Sequence, residues 1–302
     1  MFKMEYGRAI CYSGYREGQS PVTETYPTYD QIVEDMKILE KHGFKYIRMY
    51  DPVSYAEMTC QVIRDLGLNI KLMLGPGLIS EVNNPGCPWL QTNYSAEELA
   101  ERAKFNDKRI DDLIRIANEY SDVVNVVSIG NENTPDWGAN NVPVERLVSF
   151  AKRLHEGTDK PVTFNEGAFE WPRIPQIAEQ MDIICVHSYP LWHGVSVEDG
   201  LAENKEWYQK IKEAYPDKPV IFSEVGWATK SKPGTEMGEG QTNEANQKKY
   251  YDEFWEWADE EQIIAYMFEA FDEPWKGGND PIEAEKNWGI YYVDRTPKPV
   301  VE

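Results

Sequence analysis

Short apolar runs typical of β-strands alternate with amphipathic helical stretches along the whole chain. The predicted strands cover residues 6–11, 45–49, 69–74, 123–129, 161–165, 182–187, 219–223 and 263–269. The predicted helices cover residues 28–42, 54–66, 95–119, 142–156, 174–180, 198–214 and 243–260. Strands that alternate with helices form parallel βαβ units, and eight such units close into a barrel. We therefore predict an α/β fold, a single (β/α)8 TIM barrel that forms one domain over residues 1–302.

Two observations favour this barrel over a doubly wound open sheet. The G-x-G-x-x-G pattern that marks dinucleotide-binding open sheets does not follow the first predicted strand. No Gly/Ser-rich linker and no internal repeat interrupts the alternation of strands and helices. Two helix starts are well defined, because Thr28 with Gln31 and Ser95 with Glu98 both fit the capping-box pattern.

Each predicted strand ends in residues that can form hydrogen bonds or ionise. Examples are Arg48-Met49-Tyr50-Asp51, Gly130-Asn131-Glu132, His187-Ser188-Tyr189 and Glu269-Ala270-Phe271-Asp272. Active sites of (β/α)8 barrels lie at the carboxyl-terminal ends of the strands. The sequence therefore predicts that these side chains surround one pocket.

Two glutamates are the main catalytic candidates. Glu132 lies in Ser128-Ile129-Gly130-Asn131-Glu132-Asn133 and Glu224 in Ser223-Glu224-Val225-Gly226-Trp227, each at the end of a predicted strand. Glycoside hydrolysis needs two such carboxyl groups, since one protonates the leaving oxygen while the other attacks or stabilises the sugar cation. We predict that Glu132 is the general acid/base and Glu224 the nucleophile. A structural carboxylate at a helix start and an ion pair at the barrel mouth are the respective alternatives.

The other ionisable residues at this end of the barrel are expected to play supporting roles. Glu166 and Glu269 are predicted to form hydrogen bonds in or near the pocket. Asp51 and Asp272 are predicted to bind sugar hydroxyls, with a purely structural role as the alternative. His187 either orients a neighbouring carboxylate or fills a structural position.

The charge and aromatic content restrict the class of ligand. The chain has 31 Lys and Arg against 52 Asp and Glu, a formal net charge of −21. A field of this sign repels nucleic acid and anionic membrane surfaces but accepts a neutral polymer. The 10 Trp and 18 Tyr include several outside helical patterns, where such rings either stack on the flat faces of sugars or pack in the core.

Metal, cofactor and targeting patterns are lacking in this sequence. The four histidines show no H-E-x-x-H spacing, and the four cysteines show no C-x-x-C spacing. We expect no metal, no cofactor and free buried thiols at Cys11 and Cys185. The chain as given has no signal-peptide core and no apolar run long enough to cross a membrane, so it is expected to be soluble.

The two glutamate motifs resemble those of glycoside hydrolase family 17 in clan A, which contains β-1,3-glucanases, laminarinases and glucanosyltransferases. Further similarity lies in Ile10-Cys11-Tyr12-Ser13-Gly14-Tyr15, Ile47-Arg48-Met49-Tyr50, Met73-Leu74-Gly75, His187-Ser188-Tyr189-Pro190, Phe268-Glu269-Ala270-Phe271-Asp272-Glu273-Pro274-Trp275-Lys276 and Trp288-Gly289-Ile290. The last three segments are similar to the bacterial and fungal members, and we place the chain in the bacterial laminarinase-like branch. Val225 and Ala228-Thr229 differ from the plant version of the nucleophile motif.

The resemblance implies a retaining β-1,3-glucanase that needs no cofactor and acts on laminarin-type glucan. It also implies a monomer that is secreted or periplasmic, without nucleic-acid partners and without membrane insertion. The residues expected to bind substrate are Tyr12, Tyr50, Asp51, Asn131, Tyr189, Trp227, Glu269, Asp272, Trp275 and Lys276.

Three alternatives to an endo-acting hydrolase stay open at this stage. A glucanosyltransferase would use the same covalent intermediate, with acceptor binding on aromatic side chains such as Trp137, Trp192 and Trp227. Another clan A glycosidase, for example one that cleaves β-1,4 bonds, shares the paired glutamates. A barrel that binds carbohydrate without cleaving it belongs to a different class. The loops 79–94 and 228–242 are expected to decide between endo and exo action.

Overall fold

A closed barrel of parallel strands forms the centre of the protein. The structure is a computed structural model and describes residues 4–302. Within this range the strands are β1 (Arg8–Cys11), β2 (Phe44–Met49), β3 (Lys71–Leu74), β4 (Val124–Asn131), β5 (Val162–Gly167), β6 (Ile183–His187), β7 (Val220–Val225) and β8 (Ala265–Met267). Each strand pairs with the next in sequence order, and β1 pairs with β8, where Ala9 lies opposite Tyr266. The predicted (β/α)8 TIM barrel is confirmed.

Seven α-helices surround this barrel in the part of the chain that the structure describes. They are α1 (Tyr29–Lys41), α2 (Ala56–Leu66), α3 (Ala96–Glu119), α4 (Val144–Gly157), α5 (Pro175–Gln180), α6 (Val197–Ala214) and α7 (Glu244–Glu261). Short 3-10 helices lie at Trp171–Arg173, Pro190–His193, Ala284–Lys286 and Pro299–Val301. Both predicted capping boxes are present, at Thr28 before α1 and at Ser95 before α3.

The strands are buried on both faces because the helices cover the outside of the barrel. Every residue of β5, β6 and β7 is buried, as expected for a parallel sheet that does not face water. On the outer side, the ring of Phe222 packs against Phe254 and Trp257 of α7. This packing fixes β7 and therefore the position of the residues at its carboxyl end.

The observed strand ends differ slightly from the predicted ones. Strands β4 and β7 continue to Asn131 and Val225, so that Glu224 belongs to the ladder itself and Glu132 is the first residue after it. Strand β8 is shorter than predicted, because the backbone N–H of Glu269 donates to the carbonyl of Trp288 outside the ladder. Both candidate catalytic residues therefore lie at the carboxyl-terminal mouth of the barrel.

A buried ion pair joins α1 to the end of the chain. The carboxylate of Asp35 accepts hydrogen bonds from the guanidinium of Arg295 at 2.8 and 2.9 Å, and Arg16 binds the same carboxylate at 2.9 Å. Asp35 is fully buried and Arg295 nearly so. Residues 260 positions apart are thus held together on one side of the barrel.

The cysteines of the described residues form no disulfide bond. Cys11, Cys60, Cys87 and Cys185 are all free and buried, which confirms the prediction for Cys11 and Cys185. None of the helices between residues 4 and 302 combines the length and the apolar character needed to cross a bilayer.

Candidate active site

Glu224 projects from β7 into a group of hydrogen-bond donors. Its carboxylate accepts from Arg48 at 2.5 Å, from the hydroxyl of Tyr50 at 3.0 Å and from the hydroxyl of Tyr189 at 2.6 Å. The side chain is only 7% exposed. A buried carboxylate with one cation and two hydroxyl donors is held in a single orientation.

Arg48 is the cation at the centre of this group. It lies at the end of β2, is 1% exposed and stacks over the ring of Tyr50 at 4.4 Å. Besides Glu224, its guanidinium donates to the side-chain carbonyl of Asn131 and to the backbone carbonyl of Ser223. Arg48 therefore connects the ends of β2, β4 and β7.

Glu132 begins the loop after β4 in an unusual backbone conformation. Its φ of 47° lies in the left-handed region that favours glycine. Two contacts stabilise this turn, since the N–H of Glu132 donates to the carbonyl of Asn165 at 3.0 Å and the N–H of Asn131 donates to the side chain of Asn133 at 2.8 Å. The carboxyl group is more exposed than that of Glu224, at 28%.

His187 lies between the two carboxyl groups. Its Nδ1 is 2.9 Å from Glu132 and 3.6 Å from Glu224. Its Nε2 faces the Nη1 of Arg48 at 3.5 Å, so the tautomer that fits carries its proton on Nδ1 and donates it to Glu132. One oxygen from each glutamate and one ring nitrogen of His187 lie within 4.8 Å of one another.

The surroundings of Glu224 keep its carboxylate ionised. Burial alone would raise the pKa of Glu224, but His187, the charge of Arg48 and the hydrogen bond from Tyr189 outweigh this effect. The pKa therefore lies well below the usual value for glutamate. An ionised, oriented carboxylate can act as a nucleophile or stabilise a cation.

Glu166 is a third carboxyl group close to the pair. It is fully buried on β5 and accepts hydrogen bonds from the hydroxyl of Thr134 at 2.8 Å and from the N–H of Gly167 at 2.8 Å. Burial and the nearby charge of Glu132 raise the pKa of Glu166 to about 8. Glu166 thus holds the turn that begins at Glu132 rather than facing the pocket.

A second ionic cluster lies after β8, next to the strand that carries Glu224. The ammonium of Lys276 binds Glu269 at 3.3 Å and also contacts Glu273, and the indole of Trp275 donates to Glu273 at 2.9 Å. Burial and the charge of Glu273 raise the pKa of Glu269, whereas Lys276 helps to lower that of Glu273. Three of the predicted substrate-binding residues are therefore brought together here: Glu269, Trp275 and Lys276.

The remaining predicted substrate-binding residues divide into three groups. Tyr50, Asn131 and Tyr189 contact the Glu224–Arg48 group directly. Asp51 is half-buried and pairs with Arg109 at 3.1 Å.

Tyr12, Trp227 and Asp272 are buried and form their hydrogen bonds with interior groups, so their role in substrate binding stays a prediction. Tyr12 is 1% exposed and donates to Asp35. Trp227 is fully buried, packs on Tyr250 and donates to a backbone carbonyl in the loop before α7. Asp272 pairs with Lys298 at 2.7 Å.

Arg48 was predicted to line the pocket as part of a strand end, but neither Arg48 nor Glu273 was among the predicted catalytic or substrate-binding residues. The available clue for Arg48 was a charged residue inside the apolar run Tyr46-Ile47-Arg48-Met49, since a buried charge requires a partner. Glu273 lies four residues after Glu269 and three before Lys276, but this spacing has no regular meaning in a loop.

Among residues 4–302, one cluster has the composition of a metal site, namely Glu132, His187 and Glu224. A cation bound there would compete with Arg48, which already lies 2.5 Å from Glu224. We therefore interpret the cluster as two carboxyl groups that both face Nδ1 of His187. This arrangement supports acid and nucleophilic chemistry on one bond between them.

A closed (β/α)8 barrel with paired glutamates at the ends of β4 and β7 defines a protein of the glycoside hydrolase type. A family model for the BtgE/BtgC glycoside hydrolase domain matches residues 9–289. The chain belongs to this family. The expected relationship to β-1,3-glucan-active glycoside hydrolases is confirmed, and assignment to the bacterial branch stays a prediction.

Individual relatives agree with the family match. A glucan endo-1,3-β-glucosidase (btgC) from Emericella nidulans is 24% identical over 304 residues, which cover 91% of this chain and 42% of the relative. The chain spans about two fifths of the length of the curated relatives it matches.

Two solved structures share the fold. An endo-laminarinase from Formosa Hel1_33_131 matches with a TM-score of 0.82 and 23% identity, covering 98% of this chain and 85% of that one. A glycoside hydrolase family 17 β-1,3-glucanosyltransferase from Rhizomucor miehei matches with a TM-score of 0.75 and 20% identity, covering 98% and 97%.

Proposed function

We propose that the chain is a retaining, endo-acting β-1,3-glucanase in which Glu132 is the general acid/base and Glu224 the nucleophile. The observation that carries this proposal is the separation of the two carboxyl groups, whose nearest oxygens lie within 4.8 Å of each other with His187 between them. Retaining glycosidases hold their carboxyl groups about 5–5.5 Å apart, whereas inverting enzymes need about 6.5–9.5 Å to admit a water molecule.

In the first step, Glu132 donates its proton to the glycosidic oxygen while Glu224 attacks the anomeric carbon. The glycosidic bond breaks, the shortened glucan leaves as an alcohol, and an ester forms between the sugar and Glu224. The low pKa of Glu224 favours this role, because the nucleophile must be ionised. Arg48 and Tyr189 hold the attacking oxygens in place.

In the second step, Glu132 removes a proton from water, and the hydroxide attacks the same carbon. The ester bond to Glu224 breaks and the carboxylate is restored, so two inversions leave the anomeric configuration unchanged. The Nδ1–H of His187 faces both carboxyl groups, at 2.9 Å from Glu132 and 3.6 Å from Glu224. It can therefore stabilise whichever of the two is ionised during each step.

The substrate class is supported by the relatives and by the charge of the chain. The curated relatives are named as β-1,3-glucosidases, and a neutral polymer is compatible with a net charge of −21. We propose that the protein acts outside the cytoplasm, because a polysaccharide substrate does not cross membranes. We also propose that it acts as a monomer. Secretion is tested by locating the protein in culture fractions of its source, and the monomer by sedimentation.

The test follows laminarin cleavage over time and determines the configuration of the first products by NMR. We expect β-configured products of intermediate length. Glu224→Gln and Glu132→Gln should each abolish this cleavage, whereas Glu97→Gln on the exposed start of α3 should not. Glu132→Gln should still cleave a dinitrophenyl β-laminaribioside, since this leaving group needs no proton, whereas Glu224→Gln should not. General acid catalysis accounts for roughly 10²- to 10⁴-fold in rate.

Other outcomes would redirect the assignment. Products longer than the substrate would show a glucanosyltransferase, and cleavage of a soluble β-1,4-glucan but not laminarin would show another clan A specificity. Binding of laminarin without any cleavage by the intact protein would overturn the hydrolase and leave a binding barrel.

A further inference from the structure

Trp89 and Trp137 form an exposed aromatic pair outside the catalytic group. Trp89 is 64% exposed and Trp137 is 37% exposed. Their ring centroids lie 5.7 Å apart, with the ring planes inclined by 50°. Large indole surfaces left in water are unfavourable, and an exposed pair of them commonly marks a binding surface.

Side-chain hydrogen bonds hold the loops of the two tryptophans together. Asn84, in the loop of Trp89, donates to the backbone carbonyls of Asp136 and Gly138 at 2.7 and 2.8 Å. These two carbonyls lie immediately before and after Trp137 along the chain. The two loops are therefore joined before any ligand arrives, which lowers the entropic cost of bringing the indoles together on binding.

The pair is also connected to the catalytic turn. Trp137 follows Glu132 by five residues, so it lies within roughly 18 Å of it. Asn133 accepts from the N–H of Asn131 at 2.8 Å and donates to the carbonyl of Asn140 at 2.6 Å, which links both ends of the loop that carries Trp137. A polymer held at Glu132 could thus continue onto the two indoles.

The chemistry of the pair favours a neutral sugar chain. Pyranose rings present flat C–H faces that pack on indole rings. The 50° angle between the two rings suits successive sugar units that are not coplanar. The negative charge of the whole chain disfavours anionic ligands.

We propose that Trp89 and Trp137 form a platform that binds glucosyl units of the β-1,3-glucan chain beyond those held at the cleavage point. This inference rests on the proposed function and assigns to the loops after β3 and β4 the preference for long substrates. Short oligosaccharides that fill only the catalytic pocket do not reach the platform.

The test measures binding in the Glu224→Gln background, in which the glucan is not cleaved. Laminarin and laminari-oligosaccharides of increasing length are titrated by calorimetry against this parent and against Trp89→Ala and Trp137→Ala made in it. We expect each substitution to weaken binding of long chains by roughly two- to tenfold and to leave binding of the trisaccharide unchanged. Phe105→Ala on helix α3 is the matched control, because Phe105 has the same 37% exposure.

Two further measurements distinguish a sugar-binding platform from a structural contact or an interface between copies of the chain. Trp89→Phe keeps an aromatic face and should retain most of the long-chain affinity, and thermal unfolding shows whether each variant is folded. If the intact protein cleaves laminarin but the alanine variants bind long chains like their parent, the platform is overturned and the proposed function stands. If the substitutions instead dissociate a dimer in sedimentation experiments, the pair is an interface between copies, which also overturns it. Failure of the intact protein to cleave laminarin would overturn the proposed function separately.

Discussion

Burial raises the pKa of Glu224, and Arg48 is one of the groups that lower it, because it carries a full positive charge at 2.5 Å. The same guanidinium contacts Asn131, the residue before Glu132. One side chain therefore links the ionisation of Glu224, the proposed nucleophile, to the position of Glu132, the proposed acid.

Replacing Arg48 should move the acid limb of the pH–rate profile. Arg48→Gln removes a cation that lowers the pKa of Glu224, so the carboxylate should become protonated at a higher pH and kcat/KM should begin to fall at a higher pH. Arg48→Lys keeps the charge and should shift the limb less, although both variants should lose activity. Measurements of kcat/KM against pH on folded variants check this. An unchanged acid limb in Arg48→Gln would show that another group controls it.

Glu166 should make the stability of the protein depend on pH. Its pKa is raised to about 8 in the folded state, above its ordinary value of 4.5. Its contribution to stability is therefore fully present below pH 4.5 and is lost as the pH rises through about 8. In Glu166→Gln this loss should vanish, so that the difference in unfolding free energy between variant and parent grows with pH. Urea denaturation at pH values from 4.5 to 8.5 measures this difference in unfolding free energy. A difference that does not change with pH would contradict the prediction.

At this scale the sequence indicated the positions of the two candidate catalytic glutamates better than their surroundings. Glutamates at strand ends are visible in a linear pattern, and both lie where the barrel geometry requires. The interior positions of Tyr12 and Trp227 depend on which loop folds over them, and no local pattern contains that information. The role of Arg48 depends on contacts with β4 and β7, which a reading of β2 alone does not reveal.

The secondary-structure elements were predictable because their signals are local. Apolar runs, capping boxes and glycines placed each helix and strand within a few residues of its observed ends. The largest difference among the strands occurs at β8, which is two residues shorter at each end than predicted and whose limits depend on pairing with β1 and β7. Long-range pairing of this kind is not encoded by residue periodicity.

The ion pair between α1 and the chain end should be important for stability. Asp35→Asn should lower the free energy of unfolding by about 3–5 kcal/mol, because it leaves the buried guanidinium of Arg295 without its counterion. Glu34→Gln is the matched control, since Glu34 lies on the same helix and binds the same Arg16 but is 58% exposed. It should change stability by less than about 0.5 kcal/mol. Equal effects in urea denaturation would contradict a tether between α1 and the chain end.

The closed barrel should unfold in one step. Because β1 pairs with β8, opening the ring at this seam exposes the edges of both terminal strands together, and we expect the rest of the sheet to unfold with them. Tryptophan fluorescence and far-ultraviolet circular dichroism should therefore give coincident denaturation curves, as the predicted one-domain organisation requires. Two separated transitions would indicate that part of the chain folds independently.

The four buried cysteines can report local opening of the barrel, because each is protected from solvent in the folded protein. They lie on β1 (Cys11), on α2 (Cys60), in the loop after β3 (Cys87) and on β6 (Cys185), all out of contact with solvent. A thiol-alkylating reagent can modify each site only when the surrounding segment opens. Mass spectrometry of the alkylated peptides would therefore give the order in which four regions of the barrel lose their packing, and no cysteine has to be introduced by mutation.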